Sequence, residues 1–321
     1  MTVSLALRKH PRIPPTTRAL VERAAAKLGY RPDPHVAKLM DHLRTRRKPG
    51  YQSTIGAFTT LVEGKEGSYT IDMIRSASRR AEELGYGFTL FRGEDIAGQR
   101  NALQRILLNR GVEGIVLLPI ATPRVLTEQL DWSVFSVVST TYGVLAPAFH
   151  RVVPHQFGNA LQICQQLAAD GYRRIGLVLP AEQDLRVHHG FSAAVAWQNL
   201  IGGTEFVRPC IHEGVFPAKL ELARWFEGER PDVIIAEGDK ACRSIAQQLG
   251  LRLSGSVGFA SANKSGQSIF AGIEERPEEI GATAIEFLAS MIQRGEKGVP
   301  DVPKITMIDG RWIAGRSARR R

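Results

Sequence analysis

A chain of 321 residues, 43% hydrophobic and 23% charged, is long enough for two core domains and a small appendage, and these fractions exclude global disorder. The sequence has no apolar run long enough to span a bilayer, and its first thirty residues carry Arg and Pro instead of the apolar core of a secretion signal; no membrane segment and a cytoplasmic location are expected. The formal charge of +10 resides almost wholly in the first 51 residues, where twelve Lys/Arg face three acids for a net of +9; a polyanion contacted by that head is expected.

The chain opens on "MTVSLALRKHPRIP". On a helix, Val3, Ala6 and Leu7 pack inward while Thr2, Ser4 and Arg8 lie opposite. Thr and Ser reach phosphates or base edges, and Arg8 and Arg12 neutralise phosphates. Pro15 suits a first helical position and Gly29 a position just past a helix end, so Pro15 to Leu28 is predicted helical. Leu20, Val21, Ala24, Ala25 and Leu28 recur at helical spacing, unlike a solvated basic tail. The head is therefore a folded basic unit, and nucleic acid is its leading partner. "YRPDP" then breaks the chain, and "HVAKLMDHLRTRRKPG" runs into a basic linker ending at Pro49-Gly50, the expected domain boundary. Within it, Leu39 beside Lys38 reads either as a wedge between minor-groove base steps or as a residue packing the linker on the body.

From Thr54 onward, short β-rich runs alternate with amphipathic segments. Strands are predicted at residues 54–59, 87–91, 114–119, 134–139, 174–180, 232–237 and 256–261. Helices are predicted over Tyr69–Leu84, Gln99–Leu108, Phe157–Ala169, Gly190–Leu200, Leu220–Phe226, Lys240–Leu249 and Pro277–Arg294. Such alternation implies an α/β fold of doubly wound parallel sheets, and so many units suggest two lobes instead of one sheet. Ligands of open α/β folds bind beyond the carboxyl ends of strands. The pocket candidates are thus Thr60, Tyr69, Tyr142, Arg186, Glu237 to Asp239, and Ser261 to Asn263.

The chain has no GxSxG elbow, GxGxxG turn or GxxxxGK[ST] phosphate loop. His150/His155 and His188/His189 have no carboxylate or Cys at ligand spacing, so no metal site is expected. The acids of "EGD" (237–239) and "EE" (274–275) come without a nucleophile–base pair, and catalysis is not expected of them. Neither a catalytic residue nor a cofactor is assigned. Cys164, Cys210 and Cys242 form no CxxC pair, which suits a reducing compartment.

The head segment "TVSLALRKHPRIPPTTRALVERAAAKLGYRPDP" resembles the recognition helix, turn, third helix and hinge start of the lac repressor (LacI/GalR) family of transcription regulators. In the body, "AADGYRRIGLVLP", "RPDVIIAEGDKAC" and "LGLRLSGSVGFAS" are similar to motifs of that family's sensor core. The resemblance implies a two-lobed, type I periplasmic-binding-protein-like core over residues 51–321, preceded by a partial helix-turn-helix head and hinge over residues 1–50. Lobe one would span about 51–150 plus a late crossover segment, and lobe two about 151–258 plus the C-terminal segment. It implies a dimeric, effector-controlled regulator, read as a repressor, with double-stranded operator DNA and a sugar or related metabolite as partners.

Carried over residue by residue, Thr2, Ser4 and Leu5 fall on the recognition helix, and Arg8, Arg12 and Thr17 on neighbouring backbone contacts. Leu39 falls on the hinge leucine that enters the minor groove, with Lys38 beside it; Tyr69 falls on a pocket aromatic and Asp239 on a frequent ligand acid. The family's first helix and following turn have no counterpart here, so a second reading is a sensor module that has lost autonomous DNA binding. Gly238 replaces an Asn, Ala260 and Ser261 replace acids, and Arg186 lies one residue out of register with the family's ligand arginine. A transport component would need export, and an enzyme would need a nucleophile–base pair.

Overall fold

The computed structural model describes residues 13–27, 53–60, 67–93, 102–119, 130–266 and 268–319. The chain divides into two compact units, Met1–Gly50 and Tyr51–Arg321.

In the first unit, helix α1 spans Pro15–Lys27. Pro15 opens it, where the missing N–H costs nothing, and Arg18 donates its guanidinium to the Ile13 carbonyl at 3.3 Å. Thr17 lies half-buried in the first turn. The other residues expected to touch DNA (Thr2, Ser4, Leu5, Arg8, Arg12, Lys38 and Leu39) lie outside the described residues.

The second unit runs through β1 (Thr54–Thr59), α2 (Ser68–Glu83), β2 (Gly87–Arg92), α3 (Leu103–Asn109), β3 (Val112–Leu117), β4 (Ser136–Ser139) and β5 (His150–Pro154). It continues through α4 (Gln156–Ala169), β6 (Ile175–Pro180), α5 (Ala181–Arg186), α6 (Gly190–Ile201), β7 (Cys210–His212), α7 (Lys219–Glu229), β8 (Val233–Ala236) and α8 (Asp239–Gln248). Last come β9 (Gly258–Ser261), β10 (Ala271–Glu274), α9 (Pro277–Arg294), β11 (Ile305–Ile308) and β12 (Arg311–Ile313).

These strands form two six-stranded sheets, ordered β11-β5-β4-β3-β1-β2 and β12-β10-β9-β8-β6-β7. Every pairing is parallel except that of β10 with β12. The period of two along each strand divides the core cleanly. Ile55, Ala57, Val116 and Val138 face α2 and α9, whereas Phe58, Ile115, Leu117 and Val137 face α3. In the second sheet, Ile175, Leu177, Leu179 and Ile235 face α4 and α6, whereas Val178, Ile234 and Ala236 pack with residues of α7 and α8. Both sheets are therefore doubly wound, as the alternation of the sequence implied.

Helices α2 and α9 meet through small residues. A Cβ on Gly281 would stand 2.5 Å from the Met73 carbonyl oxygen, so glycine sets the approach of the two helices. At the same contact Ser76 Oγ donates to the Glu278 carbonyl at 2.8 Å.

The chain passes between the lobes three times. It leaves the first sheet at Pro154 and enters α4, which packs on the second; it returns from β10 into α9, which packs on the first; and it passes from β11 to β12 through Asp309 and Gly310. The crossings are bonded together. The His155 N–H donates to the Ile308 carbonyl at 3.0 Å, and His155 Nδ1 meets Asp309 Oδ1 at 2.8 Å. The Gly310 N–H donates to Asn159 Oδ1 at 2.8 Å. Here too a side chain has no room: a Cβ on Gly310 would stand 2.9 Å from Asn159 Oδ1 and 3.0 Å from the Glu274 carbonyl oxygen.

Some predicted boundaries move. The strand predicted over 114–119 begins at Val112, and the one predicted from 134 begins at Ser136 because Trp132–Val134 forms a 3-10 turn, with the Asp131 carboxylate accepting from the Ser133 N–H at 3.0 Å. Strands β5, β7, β10, β11 and β12 and helix α5 were not read from the sequence at all. The sequences of β5 and β10 mix polar or small residues with apolar ones, β7 and β12 have three residues each, and β11 is largely exposed, so none gives a clear apolar run. His150–Pro154 straddles the approximate limit expected for lobe one and pairs within the first sheet through β4 and β11.

Candidate functional site: a polar cleft at the crossings

The candidate site is a cavity of about 160 Å³ lined by segments that follow the carboxyl ends of strands from both lobes, with Tyr69 at the start of α2. From the first lobe come Tyr69, Pro119 beyond β3, Thr140 to Tyr142 beyond β4, and Pro154 at the end of β5. The second lobe supplies Gln183, Arg186, Val187 and Phe191 beyond β6, Glu237 beyond β8, and Asn263 beyond β9. Gln156 and Glu275, from two of the crossings, complete the wall.

Glu275 sits at the centre of a small network. It is buried, Gln156 Nε2 donates to its Oε1 at 2.7 Å, and the Tyr69 hydroxyl also bonds to it. Burial pushes its carboxyl up to about 7, the hydrogen bonds from Gln156 and Tyr69 pull in the opposite direction, and the charge of Glu237 adds to the rise. Burial also holds Tyr69 well above the usual phenol range, reinforced by Glu275. Tyr142 is pushed up to about 12 by burial, and its hydroxyl donates to the Pro154 carbonyl at 3.1 Å. Glu237 is raised by burial, with the charges of Arg186 and His212 acting against the rise.

Arg186 is placed by the junction of α5 and α6. Asp184 is buried there and accepts from Ser192 Oγ at 2.7 Å, from the Ser192 N–H at 3.2 Å and from His189 Nδ1 at 3.0 Å. It thereby caps the first turn of α6, while His188 and His189 turn the backbone through left-handed conformations at φ 55° and 60°. Arg186 has one ion pair, with the exposed Glu182 at 3.8 Å, and its Nε is buried without a hydrogen-bond partner among the described residues. Gln156 Oε1 is likewise buried and unpartnered. The cleft can thus accept hydrogen bonds at Glu275, Gln156 and Glu237 and donate them at Arg186.

Of the residues expected to hold a ligand, Tyr69, Tyr142, Arg186, Glu237 and Asn263 line this cavity. Thr60, Asp239 and Ser261 are not among its lining residues. Thr60 follows β1. Asp239 opens α8, buried, with Oδ2 accepting from Ser265 Oγ at 3.3 Å. Ser261 ends β9 fully buried, its Oγ without a partner among the described residues. Gln156, Gln183 and Phe191 were missed, and Glu275 was noticed only as one of two adjacent acids. Gln156 and Glu275 follow directly on β5 and β10, which were not recognised as strands, whereas Gln183 and Phe191 lie within α5 and α6, further along from β6.

The three expected-absent chemistries have simple outcomes. No group of three His, Cys, Asp or Glu side chains able to hold a metal occurs among the described residues. Among these residues no helix is long and apolar enough to cross a membrane. Cys164, Cys210 and Cys242 are free and buried.

Two doubly wound lobes, three crossings between them and a cleft at the strand ends define a type I periplasmic-binding-protein-like fold. Among solved structures, a transcriptional regulator CelR–cellobiose complex superposes with a TM-score of 0.62 at 17% identity, covering 98% of this chain and 95% of that one. A putative ribose operon repressor from Burkholderia thailandensis gives 0.61 at 19% identity, covering 82% and 99%. The lac repressor dimer bound to operator and the anti-inducer ONPF gives 0.59 at 15% identity, covering 99% and 94%. At these identities the likeness establishes the fold. In sequence, no protein-family model and no curated protein matches the chain.

Proposed function

We propose that the chain is an effector-controlled DNA-binding regulator of transcription, read as a repressor. Residues 1–50 act as the DNA-binding head and hinge, and residues 51–321 as the effector-binding and dimerisation core. The observation that carries this reading is the wall of the cleft: Gln156 and Glu275 belong to inter-lobe crossings and also line the polar cavity. A ligand seated there touches both lobes and the segments joining them, so it binds two lobe arrangements with different affinity and shifts their populations.

Support for DNA as the other partner is the net charge of +9 over the first 51 residues, together with the family resemblance of the head. Thr2, Ser4, Leu5, Arg8, Arg12, Thr17, Lys38 and Leu39 are the proposed contacts. A homodimer follows from the pairing of heads on paired half-sites, and the proposed effector is a small polar metabolite of the sugar kind. Regulators of this type work in the cytoplasm.

The test is fluorescence anisotropy of the full chain on duplex DNA as salt is varied. A protein neutralising about six phosphates loses about a thousandfold in affinity between about 50 and 200 mM salt. A flat response, or no binding at low salt, overturns the DNA-binding reading.

A further inference from the structure

At its crossing end the hydrogen-bond inventory of the cleft is lopsided, while Thr141, Gln183, Arg186 and Asn263 offer donors elsewhere on the wall. The Tyr69 hydroxyl is engaged with Glu275, the Tyr142 hydroxyl donates to the Pro154 carbonyl, and Thr140 Oγ1 donates to the Leu117 carbonyl at 3.1 Å. Three of the nearest donors are therefore committed to the protein itself. What remains at the crossing end is an acceptor surface: the carboxylates of Glu275 and Glu237, beside Gln156 with its buried, unpartnered Oε1. Among the described residues the charges of Arg186 and His212 both act on Glu237, and neither acts on Glu275. Among the described residues Glu275 has no ion-pair partner, and its near neighbours from the surrounding elements are Tyr69, Tyr142, Gln156 and Glu237.

We propose that the molecule taken up in this cleft carries a protonated amino group, held at the crossing end by Glu275 and Glu237, with a hydroxyl or other acceptor directed to Arg186. The proposal rests on the cleft being the effector site. An ammonium has three donors and no acceptor, so it matches a surface of acceptors that a hydroxyl would leave partly unsatisfied. It also supplies a countercharge that Glu275 lacks among the described residues. Burial without that charge is what pushes its carboxyl up to about 7. A cavity of about 160 Å³ suits a compact molecule such as an amino alcohol, a short diamine or an amino sugar.

Matched probes decide the matter. The full chain is titrated by calorimetry and thermal shift with ethanolamine against ethylene glycol, putrescine against 1,4-butanediol, and D-glucosamine against D-glucose. At least one amine is expected to bind about tenfold tighter than its hydroxyl counterpart, and Glu275→Gln and Glu237→Gln are each expected to remove that advantage. Circular dichroism of both variants confirms that the fold is kept. Hydroxyl counterparts that bind as tightly as the amines, and lose binding in Arg186→Ala, overturn the amino group while leaving the cleft as effector site. Binding that is indifferent to Arg186→Ala, Glu275→Gln and Glu237→Gln lies elsewhere and overturns both. Absence of binding by all three amines overturns the proposal.

Discussion

Gln156 donates a 2.7 Å hydrogen bond to Glu275, and this bond joins the first inter-lobe crossing to the second inside the wall of the cleft. The two residues are 119 positions apart, so the contact exists only in the finished fold. A carboxyl in such a place reports on lobe arrangement and on whatever occupies the cleft.

The first prediction concerns pH. The Glu275 carboxyl rises from 4.5 to about 7 on folding, so the native state holds a proton that the unfolded chain releases. Stability must therefore fall as pH rises from about 4.5 to about 7, with the full cost present above that window. The cost is on the order of 3 kcal/mol, an upper figure for one buried group. Glu275→Gln removes it: the ligand-free variant should equal the parent near pH 5 and exceed it near pH 8, measured as urea midpoints at both values. A parent less stable at pH 5 than at pH 8, with the variant following it, would refute the assignment.

Arg186 leads to the opposite expectation. Its ion pair with Glu182 is long and exposed, and such pairs contribute about 0–1 kcal/mol. Arg186→Ala should leave the ligand-free thermal midpoint within about 2 °C of the parent while abolishing the ligand-induced rise. A large loss of stability would mean that Arg186 is structural instead.

Asp184 is buried and holds three donors at the α5–α6 junction. Asp184→Ala removes an acceptor from the Ser192 N–H and hydroxyl, the latter keeping the His189 carbonyl, and uncaps α6, costing about 1–2 kcal/mol in urea unfolding. Because that junction positions Arg186, ligand affinity should fall with it.

Gly281 tests the α2–α9 contact. Gly281→Ala places a methyl against the Met73 carbonyl and Ser76 Oγ, and overpacking of this kind costs about 1–3 kcal/mol. The usual gain from removing a helical glycine, about 1 kcal/mol, should be outweighed. A more stable variant would show that the helices separate freely.

Much of the fold was legible because buried parallel strands write themselves as apolar runs. β1 was read to the residue, and α9, with Pro277 at its start and Gly295 beyond its end, was read to the residue as well. The site was half legible. Tyr142, Arg186, Glu237 and Asn263 follow strands that read as apolar runs, so the rule that ligands sit beyond strand ends found them. Gln156 and Glu275 follow β5 and β10, whose sequences "HRVVP" and "AGIE" mix polar and small residues and give no clear period. Asp239 and Ser261 follow the same rule and are buried beside the cleft's lining residues instead of on its wall, because each is one or two positions removed from the residue that is. Position in the chain locates a loop, and the rotation of each side chain within it depends on contacts made far away.

The path of the chain between the lobes also constrains how the protein can be made. β11 completes the edge of the first sheet and α9 covers Val116, Val138 and Val152 of its core, yet both come from the last fifty residues. During synthesis the first lobe therefore leaves the ribosome with one apolar face covered only in part, by α2, and it stays so until the second lobe has been translated. Neither lobe is a unit the ribosome can finish alone, and a chain stopped before Pro277 would deprive both sheets of an edge strand at once.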